Sequence, residues 1–158
     1  MLRQDVGRTP PAQAHVIELL DTFQAAERAG SDAVARWIAV CADPRLRGGL
    51  RVIRARDRSH AALAEARLRA LGGVPSAGLS RELTALCEVV GDPGVSDHSK
   101  IGVLLARFPA DGETPVAPLL RRVGSDAETR ALVAAIGEDE RVTLGWLRRM
   151  RDVLRRGV

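Results

Sequence analysis

Apolar residues recur at steps of three and four positions along most of the chain, which is the spacing of one buried face of an α-helix. The first such stretch begins at Thr9-Pro10-Pro11, where a capping residue precedes prolines suited to a first helical turn, and runs to about Ala42. The second begins at Asp43-Pro44 and ends at Gly72-Gly73, a common C-terminal signal. Because the link between the two is very short, we expect them to pack as antiparallel neighbours.

The middle of the chain is less regular. Residues 72–95 are predicted to form a long crossover that contains one short helix capped by Ser80. A third long helix is predicted to open near Ser96, and Pro109 disturbs it because proline removes a helical hydrogen-bond donor and clashes with the preceding turn. The segment Val116–Val123 is predicted to resume as helix.

A last long helix closes the pattern. The sequence Ser125-Asp126-Ala127-Glu128 matches a capping box, with serine as the cap and glutamate three positions later. No strand-like alternation of useful length is present. The pattern therefore predicts an all-α fold, a four-helix bundle with a long crossover between the second and third long helices. We expect one domain over residues 9–158, after an N-terminal extension over residues 1–8.

Composition agrees with an ordinary globular domain: of 158 residues, 46% are apolar and 28% are charged. No apolar run approaches the about 18–20 residues of a membrane span. The first residues lack the basic start and apolar block of a signal peptide, so we expect a cytoplasmic protein with no membrane partner. Cys41 and Cys87 form no C-x-x-C pair, and we expect both to be reduced core residues.

The chain is basic, with a net charge of +4 and a pI near 10.3, and nearly all of its basic residues are arginines. That charge permits binding to nucleic acid but does not demand it. Aromatic residues make up only 3%, so platforms for base stacking are missing, and no helix-turn-helix or zinc-finger pattern is present. We therefore predict no nucleic-acid partner. The complete lack of tyrosine excludes a tyrosyl radical.

Four polar residues fall inside the predicted apolar stripes: Glu27, Asp57, His60 and Glu140. Each would point toward the axis of the bundle, where an isolated charge costs several kcal/mol unless it is paired or bound to a metal. Asp57 and His60 lie three positions apart, on one face of their helix. Carboxylate oxygen and imidazole nitrogen are suitable ligands for iron and manganese. The four residues are therefore candidate metal ligands.

This arrangement resembles the ferritin-like, rubrerythrin-like di-iron carboxylate proteins, in which one helix supplies a Glu and another supplies a Glu-x-x-His motif. Asp57-Arg58-Ser59-His60 is similar to the first such motif, with Asp in place of Glu, and the segment 138–147 is similar to the second. The resemblance covers roughly residues 12–155. It implies a ferritin-like bundle in which Glu27, Asp57, His60 and Glu140 hold one or two iron or manganese ions and handle oxygen or peroxide.

The sequence departs from the family pattern at two places. Thr143 occupies the position at which the family has its second histidine. Ala110 occupies the position of the carboxylate on the third helix, and the acids nearest to it are Asp111 and Glu113. The sequence leaves open whether the site holds a single metal, an asymmetric pair or none.

The alternative is a degenerate ferritin-like bundle without metal or redox activity, serving as a binding or structural module. In that case the inward acids pair with arginines, for instance Glu27 with Arg54 or Arg141. Thr143 favours this hypothesis, and the clustering of acids and His60 inside the stripes favours the metal site. A homodimer is compatible with both, and the sequence contains no direct sign of one.

Overall fold

A computed structural model describes residues 11–109 and 113–156, and the predicted extension over residues 1–8 lies outside them. Every regular element in these two ranges is an α-helix, which confirms the all-α class. The helices are α1 (Pro11–Val40), α2 (Pro44–Ala70), α3 (Arg81–Gly91), α4 (Asp97–Arg107), α5 (Ala117–Arg122) and α6 (Ala127–Arg156).

Local sequence signals set most of the helix ends. The Asp43 side chain accepts hydrogen bonds from the backbone N–H groups of Arg45 and Leu46, and Pro44 occupies the first turn, as predicted for the start of α2. At its other end, Gly72 adopts a φ of +85°, a conformation that side chains with a Cβ rarely take. The Gly73 N–H returns to the carbonyl of Leu68 and closes the helix.

The irregular middle of the chain also follows the prediction. Ser80 caps the short crossover helix α3, and Ser96 caps α4, each by accepting from a backbone N–H three positions later. The third long helix is broken as expected. It leaves helical geometry at Phe108, directly before Pro109, and a separate short helix, α5, resumes at Ala117.

The cap of α6 differs from the prediction by one residue. Asp126, and not Ser125, accepts from the N–H of Thr129 at 3.1 Å, and it also accepts from the Thr129 hydroxyl at 2.6 Å. Both oxygens of the same carboxylate also accept hydrogen bonds from the Arg67 guanidinium on α2, at 2.9 and 3.0 Å. Both candidates are good caps by local preference, and the contact with α2 favours the aspartate.

The two long N-terminal helices are antiparallel, as predicted from their short link. Gln13, near the start of α1, donates to the carbonyl of Leu71 just after α2, and Ser31 donates to the carbonyl of Arg54 in its middle. Helix α6 also runs antiparallel to α2, since Arg67 meets Asp126 at one end while Gly49 faces Trp146 at the other. The shorter helix α3 packs on α1, and α4 packs on α6.

The main core lies between these helices. Trp37 of α1 is fully buried, and its indole N–H donates to Asp97 of α4 at 2.7 Å, so α4 is tied to α1 by a polar contact inside apolar surroundings. Around Trp37 pack apolar side chains from α2 and α6, including Leu46, Leu50 and Leu147. No helix in the described ranges is long and apolar enough to cross a membrane.

The contact between α2 and α6 supplies a matched test of this packing. A Cβ on Gly49 would overlap the indole ring of Trp146, whereas a Cβ on the adjacent Gly48 would meet nothing within 4 Å. We expect Gly49→Ala to lower the free energy of unfolding by about 1–3 kcal/mol through overpacking, despite alanine's better helix propensity. Gly48→Ala should raise it by about 0.5–1 kcal/mol. Chemical denaturation of both variants measures this, and equal effects would contradict the packing described.

Candidate metal centre

Three long helices bring the four predicted residues together. Glu27 comes from α1, Asp57 and His60 from α2, and Glu140 from α6. Each offers one ligand atom, and these atoms all lie within 4.8 Å of one another. The cluster is largely shielded from water, because the side chains of His60, Glu27 and Glu140 are only 3%, 14% and 13% exposed. It is an inward group of like charges around one imidazole.

His60 lies at the centre of the group. Its Nδ1 atom is 3.2 Å from the Glu27 carboxylate and 3.5 Å from that of Glu140. Its Nε2 atom lies 3.1 Å from the carboxylate of Asp139, which is half exposed. Nδ1 therefore faces the acids of the cluster, and Nε2 faces Asp139 on the outer side of the ring.

Asp139 is the site residue that the sequence interpretation missed. It precedes Glu140 and so points from α6 at a different angle, outside the stripe that singled out the other acids. The signal that could have found it is chemical: metal-bound histidines commonly donate their second ring N–H to a carboxylate. A second acid beside Glu140 was therefore worth testing as a partner for His60.

Burial and repulsion control the charge of the acids. Burial, followed by the negative charges of Glu27 and Glu140, raises the pKa of Asp57 to about 8. Burial also raises the pKa of Glu27, an effect that the His60 hydrogen bond partly opposes. No hydrogen bond lowers the pKa of Asp57 in the same way, so its carboxyl oxygens remain free to bind a metal ion.

Burial acts on the imidazole in the opposite direction, but it does not decide the protonation of His60. Burial lowers the pKa of His60, but hydrogen bonds with Glu140, Glu27 and Asp139 outweigh burial and raise it to about 10. Without a cation, the group therefore retains protons on His60 and on Asp57 at neutral pH. A divalent cation would replace those protons, because ligands must be deprotonated to bind a metal.

The structure places the other candidates away from this group. Glu113 is exposed and pairs with Arg121, and Asp111 lies outside the described residues. Thr143 is buried close to the cluster, and its hydroxyl accepts from Arg56 at 3.4 Å. It is a neighbour of the group and not one of the four clustered residues.

The arginines considered as partners for Glu27 are also elsewhere. Arg141 forms an ion pair with Glu138 on the surface of α6. Arg54 borders a polar groove together with Arg28 and Arg58. The charge partner that the structure gives to Glu27 is His60.

Comparison of the chain with protein-family models, with curated proteins and with solved structures finds no match.

The repulsion among the acids generates a stability prediction. Asp57→Asn keeps the shape of the side chain and removes the cost of holding a carboxyl group protonated far above its ordinary pKa of 3.8, so we expect the metal-free protein to gain about 1–3 kcal/mol at neutral pH. Asp152→Asn, on the exposed surface of α6, is the control and should change stability by less than about 1 kcal/mol. Urea unfolding in the presence of a chelator measures both. A loss of stability in the Asp57 variant would refute this electrostatic account.

The pKa shifts of Asp57 and His60 also determine how the stability of the protein changes with pH. The pKa of Asp57 is raised from 3.8 to about 8, and that of His60 from 6.5 to about 10, so both groups bind protons more tightly when the protein is folded. The stabilisation is present below the unfolded pKa values and is lost as the pH rises through the folded ones. We expect the metal-free protein to lose this stabilisation from about pH 4 to pH 8 through Asp57 and from about pH 6.5 to pH 10 through His60, measured by thermal unfolding. His60→Gln should flatten the curve above pH 8, and a flat wild-type curve would contradict the shifts.

Proposed function

We propose that this protein is a ferritin-like helical bundle that binds one divalent iron or manganese ion through Glu27, Asp57, His60 and Glu140. The observation that supports the proposal is the convergence of three buried carboxylates and one imidazole on a common point, with all ligand atoms within 4.8 Å of one another. A bound cation would offset the electrostatic repulsion among the three carboxylates. The ferritin-like assignment comes from the order of the motifs along the chain.

The donor set fits such an ion. Oxygen and imidazole ligands are suitable for both iron and manganese. With metal–ligand bonds of about 2.1 Å, two ligands on opposite sides of an ion lie about 4.2 Å apart. The observed limit of 4.8 Å is a few tenths of an ångström wider, which small rotations of the carboxylates can remove.

A single ion suits the residues better than a pair. Both ions of a symmetric centre would need their own histidine, and Thr143 stands at the second position. The acid expected from the third helix is also missing from the cluster as far as the described residues show, since Glu113 is turned to Arg121. All four ligands therefore come from α1, α2 and α6.

His60 is oriented for this role. Its Nδ1 atom faces the acids, and Asp139 lies within hydrogen-bond distance of Nε2. A proton on Nε2 donated to Asp139 leaves Nδ1 free as the ligand atom and fixes the orientation of the ring. Asp139 is thus a positioning residue and does not itself contact the ion.

A bound iron or manganese ion would supply redox chemistry toward oxygen or peroxide, the activity associated with the family that the motifs resemble. The chain would supply the ligands for the ion, three carboxylates and one imidazole that are largely shielded from water. Asp57, whose carboxylate adjoins an apolar cavity and whose pKa burial raises to about 8, would have to lose its proton to bind the ion.

The proposal predicts about one Mn(II) or Fe(II) per chain after anaerobic loading, measured by elemental analysis and by titration of the Mn(II) electron paramagnetic resonance signal. His60→Ala and Glu140→Ala should reduce binding at least 100-fold while the helical circular dichroism is kept. No binding by the folded wild-type protein would overturn the proposal. Two ions per chain would overturn the single-ion stoichiometry.

A matched pair of neighbouring residues tests the positioning role within the same experiment. Asp139→Asn should weaken metal binding by about 10–100-fold, the usual effect of losing the partner of a ligating histidine. Glu138→Gln removes the same charge from the adjacent, exposed position and should change the affinity by less than about threefold. Equal effects of the two variants would show that only the overall charge matters.

The second candidate function is a metal-free structural module held together by His60. The favouring observation is that carboxylates lie within hydrogen-bond distance of both ring nitrogens, as a protonated imidazole requires. In that case His60→Ala should destabilise the fold by about 3–5 kcal/mol, and the wild-type protein should bind no metal. Under the metal-binding proposal, added Mn(II) raises the unfolding temperature of the wild type and not that of His60→Ala.

A further inference from the structure

An apolar cavity of about 290 Å³ lies beside the carboxylate cluster, between α1, α2, α3, α4 and α6. Glu27, Asp57 and Glu140 form part of one wall, and the remaining lining is mostly apolar, with Leu86 and Leu147 among its members. The space opens to solvent, since its lining runs from buried residues to the exposed Arg107. A concave apolar space with a few converging polar groups is the usual form of a small-molecule site.

Helix α1 keeps this space open with small residues. Ala26, Gly30 and Ala33 line the cavity at successive turns. A Cβ on Gly30 would lie 3.8 Å from the Asp57 carboxylate, so the missing side chain leaves that carboxylate uncovered on the cavity side. Small side chains on this face of α1 thus leave room beside the Asp57 carboxylate.

The outer end of the cavity carries a positive charge. Arg107, at the end of α4, is exposed, unlike the other lining residues, which are buried or half-buried. Its guanidinium lies 5.9 Å from the centre of the Phe108 ring, and no carboxylate in the described part of the chain forms an ion pair with it. The cavity therefore runs from an arginine at the surface, past apolar walls, to a negatively charged cluster.

We propose that the cavity binds a medium-chain monocarboxylic acid, with the carboxylate at Arg107 and the hydrocarbon chain directed toward the cluster. A cavity of about 290 Å³ has room for a hydrocarbon chain of medium length but not for a large ring system or a second ligand. The acids at the inner end repel an anionic head group and so set the orientation. The assignment extends the proposed function, because it names the ligand class that reaches the same metal centre.

The test uses octanoate as the probe and isothermal titration calorimetry on the Mn(II)-loaded protein and on the metal-free protein. We expect octanoate to bind with a dissociation constant below 1 mM and with a negative heat-capacity change, which marks apolar burial. Acetate, which has the head group without the chain, should bind at least 100-fold more weakly. Octanamide, which lacks the charge, should bind about two- to fivefold more weakly.

Two pairs of variants locate the binding site. Leu83→Trp fills the cavity from α3, a helix that holds none of the metal ligands, and should weaken octanoate binding at least tenfold. Ala85→Trp, on the exposed side of α3, is the control and should have no effect. Arg107→Gln should weaken binding about two- to fivefold, whereas Arg51→Gln, an exposed arginine outside the cavity lining, should not. Because Arg107 is exposed, its variant remains informative if Leu83→Trp fails to fold.

The outcomes separate this inference from the proposed function. Mn(II) binding without octanoate binding overturns the pocket and leaves the metal site standing. Octanoate binding that Leu83→Trp and Arg107→Gln leave unchanged also overturns the pocket, because the probe then binds elsewhere. Octanoate binding that both variants weaken, in a protein that binds no Mn(II), supports the pocket and overturns the metal function. Binding that Arg107→Gln leaves intact and that requires Mn(II) overturns the orientation, since the carboxylate then binds the ion.

Discussion

The burial of three carboxylates around one imidazole is the constraint on which the rest of the structure depends. Glu27, Asp57 and Glu140 come from three different helices and face a point that water hardly reaches. Such a group is stable only if protons, an imidazolium or a metal cation offset the negative charge. His60 supplies the partner that the protein chain itself provides: its raised pKa reflects favourable pairing of the imidazolium with the acids, whereas the raised pKa of Asp57 reflects burial and repulsion.

The surrounding structure supports this group at its two flanks. Toward one end of α2, Arg67 binds the Asp126 cap of α6, and toward the other end Gly49 admits the ring of Trp146. These contacts hold α2 and α6 antiparallel at a fixed register, with His60 and Asp139 level with each other between them. A site assembled from long packed helices keeps its ligands in place more rigidly than a site on loops, which suits both a metal centre and a fixed ion-pair network.

The prediction of helices succeeded where the physical cause is local. Asp43, Ser80 and Ser96 each cap a helix with a side chain that needs only its own next turn, and Gly72 ends α2 through a backbone angle that glycine adopts freely. It was wrong at the start of α6, where Ser125 and Asp126 are both suitable caps and a distant arginine selects one of them. The position of the four inward polar residues was also visible, because helical periodicity alone assigns a side chain to the buried face.

The sequence by itself determined the helices, most of their ends and the inward direction of Glu27, Asp57, His60 and Glu140, since each of these depends on residues within about one turn. Only the tertiary structure decided that these side chains meet within 4.8 Å, that Asp139 holds the outer nitrogen of His60, and that an apolar cavity adjoins the acids. Those features depend on the rotation and register of α6 against α2 and of α3 against α1. Packing between residues that are distant in sequence sets these quantities, and periodicity along one helix carries no information about them.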